Sequence, residues 1–227
     1  MARAPVIGDV RTVDDVPGEF TAVWLDAFEH RENAEFVFAA SGGATARRCY
    51  ERLATTASIV DWEAVEVVWT DERCVPPDSE HSNERLVREA LIEPVGGVGA
   101  VHPMRCDDGP EAYEAVIRRI GRIDLTHLGL GADGHTASLF RGSPALQPPP
   151  ERLVAANRDP TGTNPFPRMT LTFGGLARSR LAVFTVEGEE KRNALARVMA
   201  DDPTVPATHV RAGCVNWIVD RSAAGVG

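Results

Sequence analysis

The sequence contains only four cysteines, at positions 49, 74, 106 and 214. They form no C-x-x-C pair and no zinc-like grouping with histidine, and no cluster of His, Cys and carboxylates has metal-ligand spacing. These absences argue against a redox dithiol and against a metal site. We expect the cysteines to be buried or incidental thiols in a reducing cytosol.

Long apolar runs are also lacking. No run approaches the ~20 residues that a membrane-spanning helix needs, and residues 1–6 lack the apolar region of a signal peptide. The formal net charge of -9 disfavours binding to nucleic acid or to anionic membranes. It does not disfavour a small anionic ligand, because a local cluster of Arg and Lys can dominate a pocket. We therefore expect a cytoplasmic monomer or weak homo-oligomer with neither nucleic-acid nor membrane partners.

What the sequence does contain is typical of a globular enzyme. Hydrophobic residues make up 43% and charged residues 25% of the 227 positions, which allows a sizeable core. Apolar residues between 20 and 28 have the period of an amphipathic helix. Predicted strands then alternate with helical segments, the clearest strands being 35–40, 65–70, 125–130, 168–172, 181–186 and 215–220. This alternation predicts a single α/β domain over residues 1–227 with a mostly parallel sheet.

The segment of residues 124–142 concentrates the chemically useful side chains. Its predicted strand runs into glycines at 129, 131 and 134, which allow a sharp turn and close approach to a ligand. Asp133 and His135 stand on this turn, at the carboxyl end of a strand, where open α/β sheets bind ligands. A carboxylate beside an imidazole holds a general base in one tautomer. The pattern predicts that His135 is a catalytic base oriented by Asp133.

Residues 129–134 also match G-x-G-x-x-G, the dinucleotide-binding fingerprint. That fingerprint requires a full crossover helix at its third glycine. Here the apolar run of residues 135–140, at most a short helix, reaches R-G-S-P within about two turns. Dinucleotide binding is therefore a minor alternative, which titration with NAD or NADP would test.

A second glycine turn follows the strand at 35–40. The motif S-G-G-A-T at residues 41–45 leads into a helix predicted to reach about residue 56. Free N–H groups, the positive end of the helix dipole and two hydroxyls make such a turn a candidate anion site. The alternative is a plain tight turn with a serine cap. The occurrence of the S-G-G-A-T motif together with the other motifs of this chain favours the anion site.

Charged residues follow two further elements. Asp71, Glu72 and Arg73 come directly after the strand at 65–70 and belong either to a solvated loop or to a pocket rim. Lys191 lies in the first turn of the helix predicted at 189–199, where a positive charge opposes the helix dipole. Contact with a bound anion would explain this position. The alternative is an ordinary surface lysine.

Several separated motifs together resemble the 6-phosphogluconolactonases. They are S-G-G-A-T at 41–45, W-T-D-E-R-C-V-P at 69–76 with S-N at 82–83, G-L-G-A-D-G-H-T-A-S-L-F at 129–140, R-M-T-L-T at 168–172, and G-E-E-K at 188–191. The tail of residues 206–220 also matches. The resemblance implies a modified Rossmann-like (deaminase/lactonase-type) fold with helices on both faces of the sheet. It also implies hydrolysis of 6-phosphoglucono-δ-lactone in the oxidative pentose phosphate pathway, without a cofactor or metal.

Ester hydrolysis needs an activated water, a stabilised oxyanion and a protonated leaving oxygen. We assign His135 as the general base, Asp133 as its orienting group and Arg73 as the oxyanion contact. Asp71 and Glu72 are expected to position sugar hydroxyls. Phosphate is expected to bind Ser41, Gly42, Gly43 and Thr45, with Arg168 and Lys191 neutralising its charge. Ser138 lacks the G-x-S-x-G setting of a nucleophile and is assigned to packing or capping, and the other histidines are assigned structural roles.

The sequence departs from the family pattern at three places. Ala46 and Arg141 stand where the family usually has proline, and residues 164–167 lack a common lysine, so the cation that completes the phosphate site stays open.

Two alternative functions follow from related motifs. The glucosamine-6-phosphate deaminases typically carry I-A-F-N-E-P after the histidine, whereas this chain has T-A-S-L-F and no such acid. A non-catalytic sugar-phosphate-binding protein is disfavoured by the intact Asp133 and His135.

Overall fold

The computed structural model describes residues 8–226, so the expectation for the N-terminal residues 1–6 lies outside the described part. Ten strands occur in this range: β1 (Asp9–Val13), β2 (Phe36–Ala40), β3 (Val65–Trp69), β4 (Asp71–Arg73), β5 (Ala100–His102), β6 (Ile123–Gly129), β7 (Val154–Asn157), β8 (Arg168–Leu171), β9 (Ser179–Val186) and β10 (Cys214–Asp220). Seven of them form a parallel sheet in the order β1-β10-β9-β6-β2-β3-β5. The other three form an antiparallel sheet in the order β4-β8-β7.

Seven α-helical segments connect the strands: α1 (Val16–Glu29), α2 (Ala44–Ala54), α3 (Asn83–Val87), α4 (Gly109–Ile120), α5 (Phe173–Leu176), α6 (Arg192–Met199) and α7 (Arg221–Ala224). A π-helical segment over Arg88–Ile92 continues α3, and a 3₁₀ turn over Glu189–Lys191 precedes α6. Within residues 8–226, no helix is long and apolar enough to cross a membrane.

Burial explains why the strands are parallel and internal. All five residues of β2 are buried, and six of the seven in β6. A strand buried on both sides has both faces of its sheet covered, which is the usual setting of parallel strands. The predicted α/β architecture, a mostly parallel sheet flanked by helices, is confirmed.

The parallel arrangement positions the functional side chains. β9, β6, β2 and β3 are neighbours in the sheet and run in the same direction. Their carboxyl ends therefore meet at one edge. The segments that follow them carry the two glycine turns, the charged run at 71–73 and Glu187.

The structure differs from the sequence-based prediction at several elements. Residues 71–73 form β4, because they pair with β8 instead of extending into solvent. The short helix considered for residues 135–140 does not form; this segment is a turn with an isolated bridge between Thr136 and Leu139. β1 was not predicted, since four of its five residues are exposed and it lacks an apolar run.

The expectation that all four cysteines are thiols was wrong for one pair. Cys74 and Cys106 form a disulfide, which links the end of β4 to the segment before α4. Their separation of 32 residues gives no local signal. Cys49 is a buried thiol and Cys214 an exposed one.

Candidate active site

His135 and Asp133 form a hydrogen-bonded pair on the turn after β6. Nδ1 of His135 lies 2.5 Å from Oδ1 of Asp133, and the same oxygen accepts from the backbone N–H of His135 at 3.2 Å. A carboxylate at Nδ1 requires the ring proton there, which leaves Nε2 as the basic nitrogen. Partial burial would raise the pKa of Asp133, but the hydrogen bonds from His135 outweigh burial and hold that pKa below its ordinary value. The pair therefore has the geometry of an oriented base.

Two glycines make this turn possible. A Cβ on Gly131 would lie 2.2 Å from Nδ1 of His135. Gly134 has φ of +89°, and a Cβ there would lie 2.5 Å from a methyl group of Val205. Only glycine lets the backbone approach the imidazole and the neighbouring segment so closely. The ring of Phe140 packs near the His135 ring, with 4.9 Å between centroids.

The turn after β2 presents the amino end of α2. Gly43 caps this helix with φ of +110° and without any side-chain hydrogen bond, so the first backbone N–H groups of α2 are not capped by a side chain. Such groups suit an anion. The hydroxyl of Ser41 donates to the carbonyl of His127 at 2.6 Å and lies 2.6 Å from Oγ1 of Thr70. Ser41 therefore braces the turn through its side chain.

A buried polar chain lies behind this turn. The hydroxyl of Tyr50 accepts from the backbone N–H of Ser41 and lies 3.0 Å from Nδ1 of His127, whose Nε2 lies 2.8 Å from Oγ1 of Thr185. Burial lowers the pKa of His127 to about 3, so this ring is neutral at physiological pH. The sequence indicated only a structural role for His127. Its contacts connect β6 and β9 to the turn after β2, which no local pattern could reveal.

Asp71 is buried at the entrance to β4. Oδ2 of Asp71 accepts from the hydroxyl of Ser138 at 2.5 Å, and Nδ2 of Asn83 donates to the backbone carbonyl of Asp71 at 2.9 Å. Ser138 thus holds a carboxylate from 67 positions away. Both Asp71 and Asn83 line the same cavity as His135.

Glu72 points away from that cavity and stabilises the start of α3. Its Oε1 accepts from the backbone N–H of Asn83 at 2.8 Å, and Oε2 accepts from that of Glu84 at 2.7 Å and from the hydroxyl of Ser82 at 3.2 Å. Ser82 in turn caps the helix by accepting from the N–H of Arg85. Burial raises the pKa of Glu72 although backbone hydrogen bonds oppose the shift.

The three predicted cations are placed differently. Arg73 and Lys191 line the cavity, and Lys191 is the only lysine of the sequence. Arg168 lies outside the cavity wall, opposite Arg73 in the β4–β8 pairing. Its side chain is buried, with an exposed fraction of only 6%. Burial and repulsion from Arg73 lower the pKa of Arg168. Its Nε and Nη1 have no hydrogen-bond partner among the described residues.

The two glycine turns, Asp71, Arg73 and Lys191 surround one cavity of about 320 Å³. Its wall joins the two glycine turns, and it includes Ser41, Gly42, Gly43, Thr45, Asp71, Arg73, Asn83, His135, Glu187, Glu190 and Lys191. No group of three or more metal-ligating side chains that could hold an ion occurs between residues 8 and 226. The cavity therefore combines a base, an uncapped helix terminus and two cations.

Comparison with known proteins identifies the family. The sequence profile of the "Glucosamine-6-phosphate isomerases/6-phosphogluconolactonase" family matches residues 12–219. The chain belongs to this family. Among its curated members, the 6-phosphogluconolactonase of Synechocystis sp. is 34% identical over 210 residues, covering 85% of each chain. That of Mycobacterium leprae is 30% identical over 248 residues, covering 98% of this chain and 97% of the other.

A solved structure of this family supports the same fold. The crystal structure of 6-phosphogluconolactonase from Thermotoga maritima superposes with a TM-score of 0.84 at 31% sequence identity. The match covers 93% of this chain and 99% of that one. The resemblance inferred from the short motifs is therefore confirmed over nearly the whole length of the family domain.

Proposed function

We propose that this protein hydrolyses 6-phosphoglucono-δ-lactone to 6-phosphogluconate, with His135 as the general base. Its similarity to 6-phosphogluconolactonases over most of the chain supports this substrate. The observation that carries the mechanism is the His135–Asp133 pair, whose imidazole lines a cavity that also contains an uncapped helix terminus. A base and an anion site in one cavity suit a phosphorylated ester.

In the first step, Nε2 of His135 accepts a proton from water as the water oxygen attacks the lactone carbonyl. Asp133 stabilises the imidazolium that forms, since its carboxylate already accepts the Nδ1 proton. The carbonyl π electrons move to oxygen and give a tetrahedral oxyanion. Arg73, which lines the cavity, supplies the compensating positive charge.

In the second step, the intermediate collapses and the bond from C1 to the ring oxygen breaks. The imidazolium of His135 protonates the departing ring oxygen, which regenerates the neutral base and leaves an open-chain acid. Asp71 is held by Ser138 and Asn83 and lines the cavity, which supports its proposed role as an acceptor for sugar hydroxyls. Glu72 acts on the site through α3 rather than through the substrate.

The phosphate is proposed to bind at the amino end of α2. Residues 42–45 line the cavity, the first turn of α2 has no side-chain cap, and Lys191 lines the same cavity from the neighbouring turn, which supports a phosphate site here. Arg168 lies opposite Arg73 in the β4–β8 pairing and outside the cavity wall, so its proposed part is to add positive charge behind Arg73.

We further propose that the protein acts in the cytoplasm as a monomer or weak homo-oligomer and needs no metal or cofactor. The substrate class, a phosphorylated sugar lactone, supports this location, whereas the Cys74–Cys106 disulfide is of a kind that is rare in a reducing compartment. Sedimentation analysis would test the oligomeric state. Unchanged activity in EDTA would test the absence of a metal requirement.

A coupled assay tests the proposed function. Glucose-6-phosphate dehydrogenase generates fresh lactone, and formation of 6-phosphogluconate is followed with and without the protein. We expect hydrolysis far above the spontaneous rate. An unaltered rate, or release of ammonia from glucosamine 6-phosphate at a comparable turnover, would overturn the proposal.

A further inference from the structure

A third cation lies at the rim of the cavity and was not singled out by the sequence motifs. Arg48 is in the second turn of α2, and its guanidinium donates to the carboxylate of Glu187. The same Nη2 lies 3.4 Å from Oγ1 of Thr45. Thr45 and Glu187 both line the cavity. Arg48 therefore sits between the amino end of α2 and the segment that carries Lys191.

The side chains that line the cavity include more carboxylates than cations. Three carboxylates, from Asp71, Glu187 and Glu190, line the cavity, against the two permanent cations Arg73 and Lys191. Arg168 lies outside the wall. A phosphate carries nearly two negative charges at neutral pH, so its entry beside Glu187 and Glu190 would be opposed without further positive charge.

We propose that Arg48 is the second cation of the phosphate subsite and sets the preference for a phosphorylated over an unphosphorylated lactone. In the free protein Glu187 holds the guanidinium at the rim. When phosphate occupies the amino end of α2, Arg48 contacts it from the same side as Thr45. This inference rests on the proposed function, since it assigns a residue to the phosphate of that substrate.

The geometry of arginine allows both contacts at once. A guanidinium carries five N–H donors in a planar fork, and Arg48 uses Nη2 for its contacts with Glu187 and Thr45. The remaining donors are available to oxygens of a phosphate. The side chain is 50% exposed, so a shift of its end requires no repacking of the core.

The neighbouring residue provides a matched control. Arg47 lies on the same helix with a similar exposure of 41%, but it pairs with Glu89, which does not line the cavity. We therefore compare Arg48→Ala with Arg47→Ala, using 6-phosphogluconolactone and plain glucono-δ-lactone as substrates. A half-exposed charged contact predicts a KM for the phosphorylated lactone that is roughly 5- to 20-fold higher in Arg48→Ala. Arg47→Ala should keep the wild-type KM, and plain lactone should be hydrolysed equally by both.

A double variant separates phosphate contact from simple screening of Glu187. If Arg48 only neutralised that carboxylate, adding Arg48→Ala to Glu187→Gln would leave the KM of Glu187→Gln unchanged. Direct contact predicts that the double variant keeps a KM several-fold above that of Glu187→Gln alone. Equal KM values in the double variant and in Glu187→Gln would overturn the proposal, and so would an unchanged KM in Arg48→Ala.

These outcomes are distinct from a failure of the proposed function. If the wild-type protein does not hydrolyse the phosphorylated lactone, the function itself is wrong. If the wild type is active and prefers the phosphorylated lactone, while Arg48→Ala keeps the same preference, only the role of Arg48 is wrong. Melting temperatures of the variants, expected to stay close to wild type, exclude loss of folded protein as the cause.

Discussion

Gly42 packs directly against the side-chain amide of Asn83. A Cβ at position 42 would lie 1.8 Å from Oδ1 of Asn83, well inside van der Waals contact. The same amide donates through Nδ2 to the backbone carbonyl of Asp71. The turn after β2 and the start of β4 at Asp71 are therefore coupled through one buried asparagine, which is 1% exposed.

This contact predicts the effect of a small substitution. Gly42→Ala should lower the free energy of unfolding by about 1–3 kcal/mol, since overpacking a rigid contact displaces its neighbours. Displacement of Asn83 should also raise KM. Gly129→Ala is the control, because a Cβ there meets no atom within 4 Å. Denaturant titration of both variants checks the prediction, which equal stabilities would contradict.

The two ends of the cavity should differ in their kinetic effects. His135→Ala removes the base, so kcat should fall about 10²- to 10⁴-fold with a modest change in KM. Lys191→Ala removes a charged phosphate contact of roughly 1.5–3 kcal/mol, which is felt equally in ground and transition states and should appear mainly in KM. Steady-state kinetics on phosphorylated and plain lactone separate the two. A wild-type kcat in His135→Ala would refute its assignment as the base.

Glu72 should matter for stability more than for substrate binding. Glu72→Gln weakens its hydrogen bonds to the backbone N–H groups at the start of α3, each worth about 1 kcal/mol or more for a charged acceptor. We expect a lower melting temperature with a KM within about twofold of wild type. Asp71→Asn is the comparison, because Asp71 lines the cavity and should alter KM or kcat. A large KM change in Glu72→Gln would contradict this prediction and indicate that Glu72 contacts the substrate.

His127 predicts a specific loss of stability in acid. Burial lowers the pKa of His127 from 6.5 to about 3. Between these pH values the unfolded chain binds a proton that the folded protein does not, so stability falls as pH decreases below 6.5. The slope contributed by this residue is about 1.4 kcal/mol per pH unit. Unfolding free energies measured at pH 7, 6 and 5 should fall more steeply with decreasing pH in the wild type than in His127→Gln. Equal pH dependence of the two proteins would contradict the prediction.

The Cys74–Cys106 bond should stabilise the protein by closing a loop of about 32 residues. Cross-links of this length typically contribute about 2–4 kcal/mol by restricting the unfolded chain. The double substitution Cys74→Ser with Cys106→Ser should lower the unfolding free energy by this amount, and dithiothreitol should bring the wild type to the same value. Cys214→Ser, at an exposed free thiol, is the control. No response to dithiothreitol would argue against the bond.

The sequence alone determined the features that depend on local chemistry. Apolar runs located most of the parallel strands, and glycine turns marked both ends of the cavity, because strand burial and sharp turns leave a signal within a few residues. Since parallel strands share a carboxyl edge, the pairing of β2 with β6 then brings the turns that carry Thr45 and His135 to one edge of the sheet. The family motifs then supplied the substrate class.

Only the tertiary structure decided which distant groups meet. The pairing of Cys74 with Cys106, the hydrogen bond from Ser138 to Asp71, and the contact between Arg48 and Glu187 join segments separated by 32, 67 and 139 residues. Whether the side chains of Glu72 and Arg168 line the cavity likewise depended on the small antiparallel sheet. Periodicity and turn chemistry are local, whereas these contacts follow from how separate elements pack, so no short stretch of sequence encodes them.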